Sequence, residues 1–119
     1  MISILLGCGN DSVVDLGFAL DGSNSIDANE YRLTKDFVKD IIRMFDVSQS
    51  GTHVGLLEYH FRAFVRVRFD RFYDTDELLK HVEDLQQSSG ANTNIGVALK
   101  KTVQFFSKDF GMRDEVRLI

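Results

Sequence analysis

The feature that most constrains this chain is an apolar run that ends abruptly in a polar loop. Residues Val13 to Leu20 (V-V-D-L-G-F-A-L) are almost continuously apolar and rich in branched and aromatic side chains. Such runs are typical of a strand that is buried on both faces, as in a parallel sheet covered by helices. The loop Asp21-Gly22-Ser23-Asn24-Ser25 follows at once and consists of turn-forming residues. The run therefore predicts a buried strand whose carboxyl end carries a polar loop.

Helical and extended patterns alternate along the rest of the chain. Asp27 and Glu30 have the spacing of a capping box, and the helix they begin has an apolar stripe that includes Phe37. The remaining predicted elements are a hairpin of strands over His53–Tyr59 and Phe64–Phe69, a helix over Asp74–Leu85, a helix that starts at Thr93 and buries Val103, and a last strand over Val116–Ile119. This order predicts an α/β fold: an open, doubly wound, mostly parallel sheet with one antiparallel edge strand and helices on both faces.

Oxygen-bearing side chains are predicted to meet at one edge of this sheet. Ligands of open α/β sheets bind at the carboxyl ends of the strands, where Asp21 leaves the first predicted strand. Ser23 and Ser25 follow at alternate positions, and Thr93 precedes a helix that starts from the same edge. One carboxylate and three hydroxyls suit Mg²⁺, or Mn²⁺, which the sequence does not distinguish from it. Zn²⁺ prefers Cys or His ligands, and none is near in the sequence.

The Asp21–Ser25 string also permits plainer interpretations. Asp, Asn, Ser and Gly are the usual residues of a turn before a helix, so a turn without a ligand stays open on this string alone. An EF-hand loop does not fit, because Ile26 stands where that loop needs glycine and Arg32 where it needs a bidentate glutamate.

Two strings together resemble a known family. Asp15–Ser25 (D-L-G-F-A-L-D-G-S-N-S) is similar to the first motif of von Willebrand factor type A domains, and Gly90–Leu99 (G-A-N-T-N-I-G-V-A-L) is similar to the second, although Ile95 departs from the family's usual threonine. The resemblance implies a Rossmann-like fold. It also implies that the four residues named above ligate a cation in a metal-ion-dependent adhesion site, which keeps one position open for an acidic side chain of a partner protein.

The resemblance further implies that the domain is incomplete. The family's remaining ligand is an aspartate just after the fourth strand, and this chain ends at Ile119, within that strand. We therefore expect residues 1–10 to be an N-terminal leader or linker and residues 11–119 to be a partial type A domain whose C-terminal part is missing. A fragment of a longer protein is favoured over a degenerate copy.

The charge and the motifs of the chain argue against nucleic-acid binding, a membrane span and enzymatic activity. The net charge is -4 and the Lys and Arg residues are scattered, which argues against nucleic acid as a partner. No apolar run approaches the roughly 18 residues of a membrane span. We also expect no enzyme, because the sequence has no P-loop and no recognisable pair of nucleophile and base.

Cys8 is the only cysteine of the chain. By composition it is either a free thiol near a frayed terminus or half of a disulfide whose partner lies outside this chain. The resemblance favours the second, because many extracellular type A domains pair a cysteine before the first strand with one after the last helix. We therefore expect a secreted adhesion module whose partner is a protein of the extracellular matrix, such as collagen. An intracellular scaffold domain in a multiprotein assembly is the alternative.

Other polar residues are predicted to be structural. Asp15 lies within an apolar strand and needs a partner if it is buried. His53, His60 and His81 have no metal-ligand spacing and are predicted to lie on the surface or in loops.

Overall fold

A computed structural model describes residues 2–8, 14–60, 62–88, 95–105, 107–113 and 117–118 of the chain. The strands are β1 Ile2–Cys8, β2 Val14–Asp21, β3 Thr52–Tyr59, β4 Ala63–Val67 and β5 Arg117–Leu118. The helices are α1 Ala28–Ile42, α2 Thr75–Glu83 and α3 Ile95–Phe105, followed by a 3-10 turn at Lys108–Phe110. The strands form one sheet in the order β4-β3-β2-β1-β5.

The middle of the sheet is β2, and its parallel partner is β3. Asp21, the last residue of β2, lies opposite Tyr59, the last residue of β3. Strand β4 folds back on β3 as an antiparallel edge strand, which confirms the predicted hairpin and its place in the sheet. β5, in the last predicted strand, lies at the opposite edge. The α/β class is confirmed. The sheet of the described strands is mixed rather than mostly parallel: β2 and β3 pair in parallel, whereas β1 and β4 pair antiparallel with their neighbours.

The N-terminal residues take part in this sheet. Residues 1–10 were expected to be a leader or linker, but Ile2–Cys8 pairs antiparallel with β2, from Ile2 opposite Leu20 to Cys8 opposite Val14. An open strand edge accepts any extended segment that can satisfy its backbone groups, and the short connection from Cys8 to Val14 suits an antiparallel pair. Cys8 is thus the last residue of a strand. Its predicted disulfide stays a prediction.

Two apolar clusters lie on the two faces of the sheet, which confirms helices on both sides. The larger cluster packs Leu16, Phe18 and Leu20 of β2 against α1 and α2. The smaller one places Phe105 of α3 over Leu57 and Tyr59 of β3. Full burial of such an apolar side chain stabilises a fold by roughly 1.5–3 kcal/mol. No helix in the described residues is long and apolar enough to cross a membrane.

Helix α1 begins where the sequence predicts. The Asp27 side chain caps it by accepting a 2.8 Å hydrogen bond from the amide of Glu30. Its buried residues are Tyr31, Val38 and Ile42, which share one face. The prediction that Phe37 is buried is wrong, because this side chain is 48% exposed, about 100° around the helix from Val38.

Two further burial predictions are wrong. Val103 of α3 is 73% exposed, and Phe105 carries the contact with the sheet instead. His53 is only 5% exposed and lies within β3, which is covered on both faces of the sheet. His60 is equally buried, but it lies in the connection after β3, as predicted. His53 Nε2 lies 2.9 Å from the carbonyl oxygen of Gln49.

Asp15 is fully buried at the amino end of β2 and has the predicted partner. Arg113 donates to the Asp15 carboxylate from Nε at 3.0 Å, from Nη2 at 2.7 Å and from its backbone amide at 3.0 Å. This buried ion pair holds the segment after α3 against the sheet, at the end of β2 away from Asp21.

A candidate cation site at the carboxyl end of the central strand

The loop after β2 turns back on itself immediately after the sheet. The amide of Gly22 donates to the Tyr59 carbonyl at 2.8 Å, which extends the pairing with β3 by one residue. The amide of Ser23 then donates to Asp21 Oδ1 at 2.9 Å, and the amide of Ile26 donates to the Ser23 carbonyl at 3.1 Å. A side-chain oxygen that accepts from the amide two residues on is a common way to close such a turn. The Asp21 carboxylate is thereby held over its own loop.

The turn brings the two serine hydroxyls together. Ser23 Oγ and Ser25 Oγ lie 2.8 Å apart, although Ser23 is buried and Ser25 is exposed. Neighbouring oxygen ligands of an octahedral Mg²⁺ at about 2.1 Å are about 3.0 Å apart, so the separation of the hydroxyls fits two ligands of one ion. Asp21 adds a carboxylate to the same loop. These oxygen donors therefore fit a hard divalent cation. Because Ser25 is exposed, the cation would be accessible to solvent from that side.

Thr93, the fourth predicted ligand, lies outside the described residues, so its place stays a prediction. The described chain leads to Ser88, five residues before it. Within the described residues, no three His, Cys, Asp or Glu side chains are grouped to hold a metal. The Asp21 loop combines one carboxylate with hydroxyls, so it is a site of a different composition.

The charge of Asp21 affects the pKa of the neighbouring Tyr59. Burial, and secondly the negative charge of Asp21, raise the pKa of the Tyr59 hydroxyl. The carboxylate of Asp21 acts on it through surroundings from which water is partly excluded, and in such surroundings charges interact more strongly than in bulk water.

Gln87 fixes the loop from the side. Its Nε2 donates to the carbonyl oxygens of Ser23 at 2.9 Å and Ile26 at 2.8 Å, and lies 3.4 Å from that of Gly22. These carbonyls belong to a tight turn that has few backbone partners of its own. The side-chain amide of Gln87 therefore connects the segment after α2 to the candidate site.

A buried carboxylate lies directly behind the loop. Glu58 of β3 is 0% exposed, and an added Cβ on Gly22 would overlap its carboxylate. It accepts hydrogen bonds from the Tyr31 hydroxyl at 2.5 Å and from the amide of Ser88 at 2.7 Å. Glu58 and Gln87 were not among the site residues predicted from the sequence. A carboxylate in the apolar stretch His53–Tyr59 was the available indication, by the argument applied to Asp15.

Comparison with known proteins shows the family to which this chain belongs. The sequence profile of the von Willebrand factor type A domain matches residues 15–119. The chain is 30% identical over 104 residues to von Willebrand factor of Rattus norvegicus, covering 87% of this chain and 24% of that protein. It is 32% identical over 100 residues to the collagen alpha-6(VI) chain of Homo sapiens, covering 84% of this chain and 4% of that one. The chain thus spans a quarter or less of the length of these relatives.

Solved structures with this fold include proximal thread matrix protein 1 from the mussel byssus. In the form described as having a zinc-occupied MIDAS motif, it matches 94% of this chain and 29% of its own, with a TM-score of 0.74 and 22% sequence identity. A likeness at that identity shows the fold. Because the family profile covers nearly the whole chain, this protein belongs to the von Willebrand factor type A domain family.

Proposed function

We propose that this chain is a cation-dependent protein-interaction module. Asp21, Ser23, Ser25 and Thr93 would hold a divalent cation, and a partner protein would present an acidic side chain to it. The observation that carries the proposal is the 2.8 Å separation of the Ser23 and Ser25 hydroxyl oxygens beside the Asp21 carboxylate, at the carboxyl end of β2. Family membership supports the same conclusion.

The charges of the ligands explain why an acidic partner would bind. When bound, the cation supplies a positive centre that a carboxylate can approach. Asp21 is the one charged group among the four proposed ligands, and the three hydroxyls are neutral. The chain itself thus offsets half of a divalent charge and leaves the rest for the partner. The exposed Ser25 side of the loop is where that partner would arrive.

The identity of the cation is the less constrained part of the proposal. Oxygen donors favour Mg²⁺ or Mn²⁺. The solved mussel protein, however, is described as having a zinc-occupied MIDAS motif, so the argument from ligand preference does not exclude Zn²⁺ from sites of this kind. All three ions belong in the test.

An extracellular location with a matrix partner is the second part of the proposal. The relatives reported above include a collagen chain and von Willebrand factor. Cys8, the only cysteine of this chain, would form a disulfide with a cysteine of the longer protein. In that protein, Cys8 should react with an alkylating reagent only after reduction. Alkylation of Cys8 without reduction would contradict the disulfide.

The direct test is binding to a surface coated with collagen, in millimolar Mg²⁺, Mn²⁺ or Zn²⁺ and then in EDTA. We expect binding in at least one of these ions and its loss in EDTA. Asp21→Ala should abolish binding in every buffer. Asp40→Ala is the matched control, because Asp40 is exposed on α1 and pairs with the exposed Arg43.

Two results would contradict the proposal. Binding that survives both EDTA and Asp21→Ala would remove the cation from the mechanism. If collagen does not bind, calorimetric titration of the chain with each cation decides the metal part, and the absence of heat with all three ions would overturn it.

A further inference from the structure

Glu58 joins three separate segments of the chain at one buried carboxylate. The Tyr31 hydroxyl of α1 donates a hydrogen bond to Glu58 Oε1 at 2.5 Å, and the backbone amide of Ser88 donates one to Oε2 at 2.7 Å. Arg66 of the edge strand β4 contributes a third contact to Oε2, at 3.3 Å. The helix after the candidate cation loop, the segment that leads to Thr93 and the edge of the sheet therefore share one acceptor.

The position of Glu58 ties this acceptor to the cation loop. Glu58 precedes Tyr59, whose carbonyl accepts from the amide of Gly22. At Gly22, an added Cβ would overlap the Glu58 carboxylate and would lie 2.7 Å from Ser88 Oγ. There is thus no room for a side chain on the loop backbone at Gly22, because the Glu58 carboxylate and Ser88 lie directly against it.

The ion pair of Glu58 with Arg66 is buried on the carboxylate side only. Glu58 is 0% exposed, whereas the side chain of its cationic partner Arg66 is 29% exposed and also lies 3.4 Å from the Gln86 carbonyl. A buried ion pair often contributes no more stability than an apolar pair of the same volume. Burial and the hydrogen bond to Glu58 raise the pKa of Tyr31, so its hydroxyl stays protonated and remains a donor.

We propose that Glu58 is a positioning residue for the cation site, one that holds Gln87 and Ser88 beside the Asp21 loop before any cation binds. This inference rests on the proposed function. Glu58 acts through the Ser88 amide on one side and the close contact with Gly22 on the other. Gln87 completes the attachment from the same segment through its bonds to the loop carbonyls.

The test compares four variants with the wild-type chain. Glu58→Met keeps the volume and removes the acceptor, and Glu58→Ala removes both. Glu58→Gln keeps an oxygen that accepts from the Ser88 amide. Val82→Ala is the control: Val82 is 0% exposed on α2, so this change destabilises the core and leaves the Glu58 hydrogen bonds in place.

Three quantities are measured for each chain: the Mn²⁺ affinity by calorimetry, the melting temperature in EDTA, and the hydrogen exchange of the Ser88 amide in EDTA. Loss of a group that orients metal ligands typically weakens metal binding about 10–100-fold. We expect a loss of about that size for Glu58→Met and Glu58→Ala, and affinity within about threefold of wild type for Glu58→Gln. Exchange at Ser88 should accelerate in the first two variants and stay slow in Glu58→Gln.

The outcomes separate this inference from the function on which it rests. Wild-type Mn²⁺ affinity in all Glu58 variants that melt cooperatively would overturn the positioning role and leave the cation site intact. A drop in affinity for Val82→Ala as large as for Glu58→Met would also overturn it, because general destabilisation would then explain both. If the wild-type chain itself binds no Mn²⁺, Mg²⁺ or Zn²⁺, the proposed function fails and the positioning role fails with it.

Discussion

Replacing Arg113 with alanine tests how the segment after α3 is held to the sheet. In the native structure the guanidinium donates to the Asp15 carboxylate from Nε and Nη2, and Nη2 also donates to the Val14 carbonyl at 2.7 Å. The Asp15 side chain is 0% exposed and that of Arg113 is 14% exposed, so solvent screens the pair little. The variant leaves the buried carboxylate without its guanidinium partner, and the nearest remaining ring nitrogen, His53 Nδ1, is 3.9 Å from Asp15 Oδ1.

The expected loss in the free energy of unfolding depends on which hydrogen bonds to Asp15 remain in Arg113→Ala. Removing one partner of a buried pair costs roughly 3–5 kcal/mol. The backbone amide of residue 113 still donates to Asp15 at 3.0 Å, so we expect the lower end, about 3 kcal/mol. For a chain of this size, 1 kcal/mol corresponds to roughly 3–6 °C in melting temperature. The melting temperature should therefore fall by about 9–18 °C.

The assay is thermal and urea unfolding followed by circular dichroism, with Arg43→Ala as the matched control. Arg43 donates to Asp40 at 2.8 Å, but these side chains are 53% and 69% exposed. Such surface pairs contribute about 0.2–1 kcal/mol. Equal losses of stability in the two variants would contradict this expectation, since the buried ion pair would then contribute no more than the exposed one.

Three further changes have defined outcomes in the same unfolding assays. Asp27→Ala removes the cap of α1 and should cost about 1 kcal/mol in urea unfolding, while an unchanged midpoint would contradict the cap. Gly111→Ala should cost about 1–3 kcal/mol, because Gly111 has a φ of 90° and a Cβ there would lie 2.5 Å from Asp70 Cγ; a neutral result would contradict this strain. Burial and Glu58 raise the pKa of Tyr31, so its contribution to stability is complete below the unfolded pKa of about 10 and is lost as pH rises above it. Tyr31→Phe should flatten the alkaline part of the stability profile, and an unaltered profile would contradict the assignment.

The parts of the site that depend on local sequence could be predicted. Asp21, Ser23 and Ser25 lie within five residues, and the turn that brings the two hydroxyls together is closed by bonds between neighbours. The edge position of β4 was predictable because its side chains alternate between apolar and charged. Local pattern and local geometry agree in both cases, and no information from distant parts of the chain was needed.

Contacts between distant residues could not be predicted. The sequence indicated that Asp15 needs a partner, but Arg113 lies 98 residues away and only the fold brings it there. Glu58 is 27 residues from Tyr31 and 30 from Ser88, and nothing in the local pattern links them. Ile2–Cys8 was missed for the same reason, because a short apolar segment becomes a strand only where an open sheet edge accepts it.

Paramagnetic broadening by Mn²⁺ tests directly whether the Asp21 loop binds a divalent cation. Substoichiometric Mn²⁺ added to the isotope-labelled chain broadens the amide resonances nearest to the bound ion, and competing Mg²⁺ restores them. We expect the amides of Gly22 to Ile26 to broaden first, together with those of the residues around Thr93, and Asp21→Ala to abolish the effect. Broadening centred on exposed carboxylates such as Asp40 or Asp84, or broadening that Asp21→Ala leaves unchanged, would contradict it.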